Sequence, residues 1–330
     1  LALAAVPLAA VLHVGVHAMI WLAVGLLPLT VLFAALGVLQ GRSAFGWFGG
    51  LLAGFQAVRL AVGWAAAAAG FGPAGVLAST AVASLAAAAG GWWLATRVVA
   101  TGAVETNAGY GPQEFPQPWG TLLRGTASMG GLLLLTTADL LLAGHFLAGD
   151  ARGVYASGNV LTRIAFWGPQ FISTLAYPWL VRPADRARAR RLALLAVGGI
   201  GLAGVLVATV AGPLLVTVLF GTAYRSLGPL APLFVLVGAA AAVLNVVLLD
   251  DVATARTLGT RLAFAAIGVE AVGAALWWHS SPGQVVGTAA AVCSVTAALA
   301  VLVTRGGAAG ERPGGRHRTP PEAAPAQRLP

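Results

Sequence analysis

Four ionisable residues stand inside long apolar runs: Arg59, Asp139, Arg163 and Glu270. At mid-membrane such a group costs at least about 2.5–3.5 kcal/mol, so it faces a cavity or a partner. Asp139 lies eleven residues before Asp150, and Arg163 lies eleven residues after Arg152. In an antiparallel helical hairpin both would sit about 16 Å from the outer end. A salt bridge between them is then geometrically possible. The pair either pins the hairpin or lines a water-filled cavity that meets an anionic substrate, and both can hold. Arg59 has Gln56 one turn earlier. An arginine keeps its charge under nearly all conditions, so Arg59 suits a fixed phosphate or carboxylate contact better than a proton relay. A local helix partner is the alternative. Glu270 is either a proton-coupling site or a structural partner for Asn245 or an arginine.

A polar stripe adds to these. Tyr155, Asn159, Arg163, Gln170, Thr174 and Tyr177 recur at spacings of 4, 4, 7, 4 and 3. That pattern marks one helical face. Such a face lines a cavity or makes interhelical hydrogen bonds. Other chemistries are missing. No HExxH, CxxC, Walker or GxSxG motif occurs. His13 and His17 have metal-compatible spacing but no third ligand, and they read as structural. Cys293 is the single cysteine, so no internal disulfide forms. No metal or cofactor is expected. No extramembrane region is large enough for a catalytic domain, so no enzyme is expected either.

The elements that must position these groups follow from composition. Of 330 residues, 58% are apolar and 9% charged, and the mean hydropathy is +0.86. Soluble domains carry about 25% charge, which excludes that class. Disorder is excluded for most of the length. Ten apolar segments can be marked, at 1–12, 18–39, 48–69, 73–95, 121–147, 153–180, 191–219, 228–249, 259–278 and 284–304. Strand-like alternation is missing, and helices satisfy their own backbone in lipid. The expected fold is therefore all-α: a polytopic membrane protein of about ten transmembrane helices.

All 19 basic residues are arginines. The net charge of +9 does not point to nucleic acid, because the arginines lie in short loops between apolar runs. Fifteen fall in alternate loops and the C-terminal tail; only Arg152 and Arg225 fall on the opposite side. The arginine-rich side is expected to be cytoplasmic. The protein then sits in the cytoplasmic membrane, multi-pass, with its C-terminus in the cytoplasm.

Residues 97–120 hold Glu105, Asn107, Glu114 and three prolines. They read as a cytoplasmic linker. It separates a partial bundle of four spans, 1–96, from a six-helix bundle, 121–304. Residues 305–330 read as a disordered cytoplasmic tail touching anionic lipid. The chain opens at Leu1 inside an apolar stretch without signal-peptide features. The expectation is a missing N-terminus.

Residues 136–183 combine a membrane Asp, a short loop, Gly-x-Tyr and a later Pro before a basic stretch: Asp139, Gly153, Tyr155 and Pro178. This resembles the opening of the second lobe in polysaccharide flippases of the multidrug/oligosaccharidyl-lipid/polysaccharide exporter superfamily. LQGRSAFGWF at 39–48 resembles the family's fourth-to-fifth helix loop. VLFGTAYRSLGPLAPLF at 218–234 resembles its ninth-to-tenth junction. Members commonly have two six-helix lobes. Four plus six spans is what remains when the first two helices are missing, about 70 residues.

The resemblance implies a MATE-like two-bundle fold. It implies transport of lipid-linked oligosaccharide or polysaccharide precursors by alternating access. Arg59, Arg163, Asn159, Gln170 and Tyr155 would bind substrate, with Asp139 and Glu270 structural or coupling. The implied partners are the lipid-linked glycan, membrane lipids and glycan-assembly enzymes. A multidrug or cation exporter of the same superfamily is the rival, and it would favour acidic cavity groups. A membrane glycosyltransferase or polymerase would need a sizeable external loop. An inert cell-wall assembly scaffold would tolerate neutral residues at Arg59 and Arg163.

Overall fold

Runs of Ala, Leu and Val favour helix where lipid leaves backbone groups no other partner. The computed structural model of the chain describes residues 15–42, 44–101, 118–181, 184–254 and 256–310. All the regular structure among them is helical: α1 (Val16–Gly41), α2 (Phe45–Ala68), α3 (Pro73–Thr101), α4 (Pro118–Phe146), α5 (Asp150–Trp167), α6 (Gln170–Val181), α7 (Arg186–Phe220), a 3-10 stretch (Thr222–Leu230), α8 (Ala231–Ala253), α9 (Leu258–Leu276) and α10 (Pro282–Gly310). Eight helical stretches are long and apolar enough to cross a membrane. The all-helical, multi-pass expectation holds at that level. The segment at 1–12 lies outside the described residues, as does His13.

One expected span is corrected. Residues 153–180 do not form a continuous crossing but two helices, α5 and α6, broken at Gly168–Pro169. Pro169 brings no N–H, and its ring opposes the carbonyl four residues back. A second correction concerns the arginines at 186–191. They were expected in a loop, but they occupy the first turns of α7. At 35 residues α7 is about 52 Å long, well beyond the ~30 Å hydrocarbon core.

The chain divides into two compact units, Leu1–Pro116 and Gln117–Pro330. The boundary falls within the polar stretch 97–120. Both ends of that stretch are helical, because α3 continues to Thr101 and α4 starts at Pro118. Likewise α10 continues past 304 to Gly310, and residues 311–330 lie outside the description.

In the first unit α3 packs along α1, with α2 against both. Leu32, Leu36, Phe55 and Ala88 form its main core, and Leu39, Ala44 and Val98 a smaller one. Gly70 at φ +81° lets the chain turn back from α2 to α3.

In the second unit α8 is the centre, packed by α4, α5, α6, α7, α9 and α10. Its run Ala239–Ala242 is buried. Small residues let helices approach closely, which drives association in lipid. At Gly238 a Cβ would run into the Thr162 carbonyl of α5. At Gly201 of α7 a Cβ would stand 2.8 Å from the Ala239 Cβ.

Candidate functional site

The site is built inside the second unit. α4 carries Asp139 and ends at Phe146. Gly149, at φ +55°, turns the chain into α5. That turn brings Tyr155 onto Asp139. The Tyr155 hydroxyl donates to Asp139 Oδ2 at 2.8 Å, and both residues are fully buried. The backbone N–H of Leu140 donates to Asp139 Oδ1. The Tyr155 ring meets Phe234 of α8 edge-on at 5.1 Å.

The expected Asp139–Arg163 bridge is not what forms. Arg163 Nε donates instead to Asn159 Oδ1, one turn earlier on its own helix, at 3.2 Å. Arg163 is exposed while Asn159 is buried, so the guanidinium stays on the outer side of α5. Equal depth was inferred from loop counting, but depth does not fix which way a side chain faces. A neutral phenol satisfies the carboxylate without the desolvation that a buried guanidinium would suffer.

Glu270, on α9, is 1% exposed, and neither carboxyl oxygen has a hydrogen-bond partner among the described residues. The partnership with Asn245 does not form. Asn245 Nδ2 donates to Gln170 Oε1 at 2.9 Å. Glu270 lies near enough to Asp139 and Tyr155 to act on them electrostatically, and Cys293 of α10 feels both acids. Four helices thus contribute to one buried polar cluster: α4, α5, α9 and α10.

The other candidates are placed as follows. Tyr155 gives its hydroxyl to Asp139 and has no exposed surface. Asn159 keeps an unpartnered buried Nδ2 beside its bond to Arg163. Gln170 opens α6 and ties it to α8 through Asn245. The stripe does not run along one helix, because the break at Gly168–Pro169 separates Gln170 from Arg163. The side chains of Thr174 and Tyr177 lie outside the description. Arg59 and Gln56 lie on the exposed face of α2, in the other unit.

Sequence reasoning missed a second polar centre at the end of α8. Asp250 and Asp251 are both buried. Arg190 Nη1 meets Asp250 Oδ2 at 3.1 Å, tying the start of α7 to the end of α8. Asp251 Oδ2 accepts the Gly259 N–H at 2.6 Å and so caps the first turn of α9. The signal was there: two adjacent acids ending an apolar run, with Arg186, Arg188, Arg190 and Arg191 close to the previous one. Assigning those arginines to a loop hid their need for partners.

Against known proteins, the chain matches no family, no curated protein and no solved structure.

Proposed function

We propose that this protein is a membrane transporter that moves a lipid-linked oligosaccharide or polysaccharide precursor by alternating access, driven by a cation that binds at Asp139 and Glu270. The observation that carries this is the buried acid pair. Two carboxyl groups share an apolar interior, and no basic side chain bonds to either among the described residues. Intramembrane acids are costly and mark ion or proton pathways; Arg163 acts on Asp139 only at a distance, without a bond. A proton or a monovalent cation entering the cluster removes that cost, which couples its passage to a change of conformation. Tyr155 holds Asp139 in place. Arg163 and Asn159 offer an anion contact on the outer side of α5. The sugar-lipid substrate rests on the resemblance described above and on Arg163.

A cation or drug exporter is the second reading, favoured by the same acids. Arg163 separates the two, because an exporter of cations has no use for it. The test is the amount of lipid-linked glycan on the cytoplasmic leaflet after deletion of the gene. Accumulation reversed by the intact gene, but not by Arg163→Ala or Glu270→Gln copies, is expected. Unchanged glycan with unchanged surface polysaccharide overturns the flippase reading.

A further inference from the structure

We infer that the second unit carries a binding site for one anionic phospholipid, on the face formed by α7, α8 and α10, separate from the buried acids. Two adjoining cavities of about 670 and 500 Å³ share Gly198, Val243 and Val301. They form one furrow. The first contains Arg190 and Arg191. The second is walled by small and aliphatic side chains, among them Gly201, Ala239, Ala240 and Ala297. From Arg191 to Val205 the furrow follows α7 for about 21 Å, more than one leaflet of a ~30 Å core. A charged head and an apolar trough in this order fit a phosphate ester with an acyl chain.

Two further observations favour an anion at the head. Four arginines occupy the first turns of α7, against a single acid, Asp185, at the N-cap, whose side chain makes no capping hydrogen bond. Basic groups there oppose the helix dipole, and an anion relieves them. Arg190 is fixed by Asp250, which is 1% exposed. Arg191 is exposed at the mouth and forms no ion pair among the described residues. Basic pockets between spanning helices are known to take phosphate head groups. In the trough, Gly198 has open space where a Cβ would be, with nothing within 4 Å. The gap is therefore available to a chain from outside. Ser294 adds a buried hydroxyl without a partner to the wall. The site does not depend on what the protein transports.

The test is native mass spectrometry of the purified full chain, titrated with phosphatidylglycerol or phosphatidylcholine of the same acyl chains. The expected result is one phosphatidylglycerol bound at least about fivefold more tightly than phosphatidylcholine. Arg191→Gln should weaken it about fivefold, the effect of one arginine near an anionic surface. Gly198→Leu should fill the trough and abolish the bound lipid. Ala298→Leu, at an exposed position lining the same trough, is the second variant should Gly198→Leu fail to fold. Inorganic phosphate in excess should not displace the lipid. Equal retention of both lipids, displacement by phosphate alone, or unchanged binding in the folded trough variant overturns the proposal. So does a dimer that covers this face. None of these outcomes bears on glycan accumulation, so the two proposals fail separately.

Discussion

The first unit closes its interior with Leu32, Leu36, Phe55 and Ala88, and its buried hydroxyl, Ser84, bonds only to the Thr80 carbonyl of its own helix. The second unit buries Asp139, Asn159, Asp250, Asp251 and Glu270. Both solve the same problem of packing helices of membrane-spanning length. The first shows that shape and small residues suffice, as expected where lipid is as apolar as leucine. The acids of the second unit differ among themselves: Asp250 ties α7 to α8 through Arg190, whereas neither carboxyl oxygen of Glu270 has a partner among the described residues. Glu270 in particular carries a desolvation cost that no hydrogen bond among the described residues offsets.

The contrast can be broken most directly at the helix crossings. Gly238→Val places side-chain atoms into the Thr162 carbonyl and Ala165. A loss of about 3 kcal/mol or more is expected, read as lost monodispersity and a lower unfolding temperature. Gly54→Val in the first unit meets open space and should stay within about 0.5 kcal/mol. Equal damage at both sites would show that the loss at Gly238 does not come from its contact with α5.

The next effect is at the end of α8. Arg190→Met strands the buried Asp250 carboxylate and should cost about 3 kcal/mol. Adding Asp250→Leu should recover most of that loss, because a buried pair replaced by apolar groups is often neutral. Arg59→Met, on the exposed face of α2, should change unfolding by no more than about 0.5 kcal/mol. A double variant as unstable as the single one would give Arg190 or Asp250 a role outside their pairing.

The smallest effect sharpens the comparison within the cluster. Tyr155→Phe removes the donor to Asp139 and should cost about 1–2 kcal/mol in thermal unfolding. Ser84→Ala in the first unit removes a bond that only competes with the helix ladder and should cost nearly nothing. Similar losses at both would mean that Asp139 gains nothing special from its phenol.

Much of this was legible beforehand. Eight of the ten expected spans were, because apolar runs of membrane length admit few other structures. The need of Asp139 and Glu270 for a cavity or a partner was, because lipid penalises charge, but not that the two acids lie near each other. Direction was not. Counting residues from a turn fixed the depth of Asp139 and Arg163 but not their azimuth, and Tyr155 took the carboxylate instead. The α5–α6 break was written in Gly168–Pro169, but the polar residues recurring at helical spacing on both sides of it masked it. Asp250 and Asp251 were passed over because helix ends are expected to be wet, whereas here both are buried.

The polar α5 also constrains how the chain can be made. It is not among the helices apolar enough to cross a membrane unaided. Its Thr162 hydroxyl donates to the Phe234 carbonyl of α8, 72 residues later in the chain. During synthesis α5 therefore leaves the ribosome well before its main partner exists. The expectation is that α5 stays paired with α4 as a hairpin, outside the lipid, until α8 arrives. Nascent chains stopped before residue 231 should leave α5 extractable from the bilayer, and chains extended through α8 should retain it.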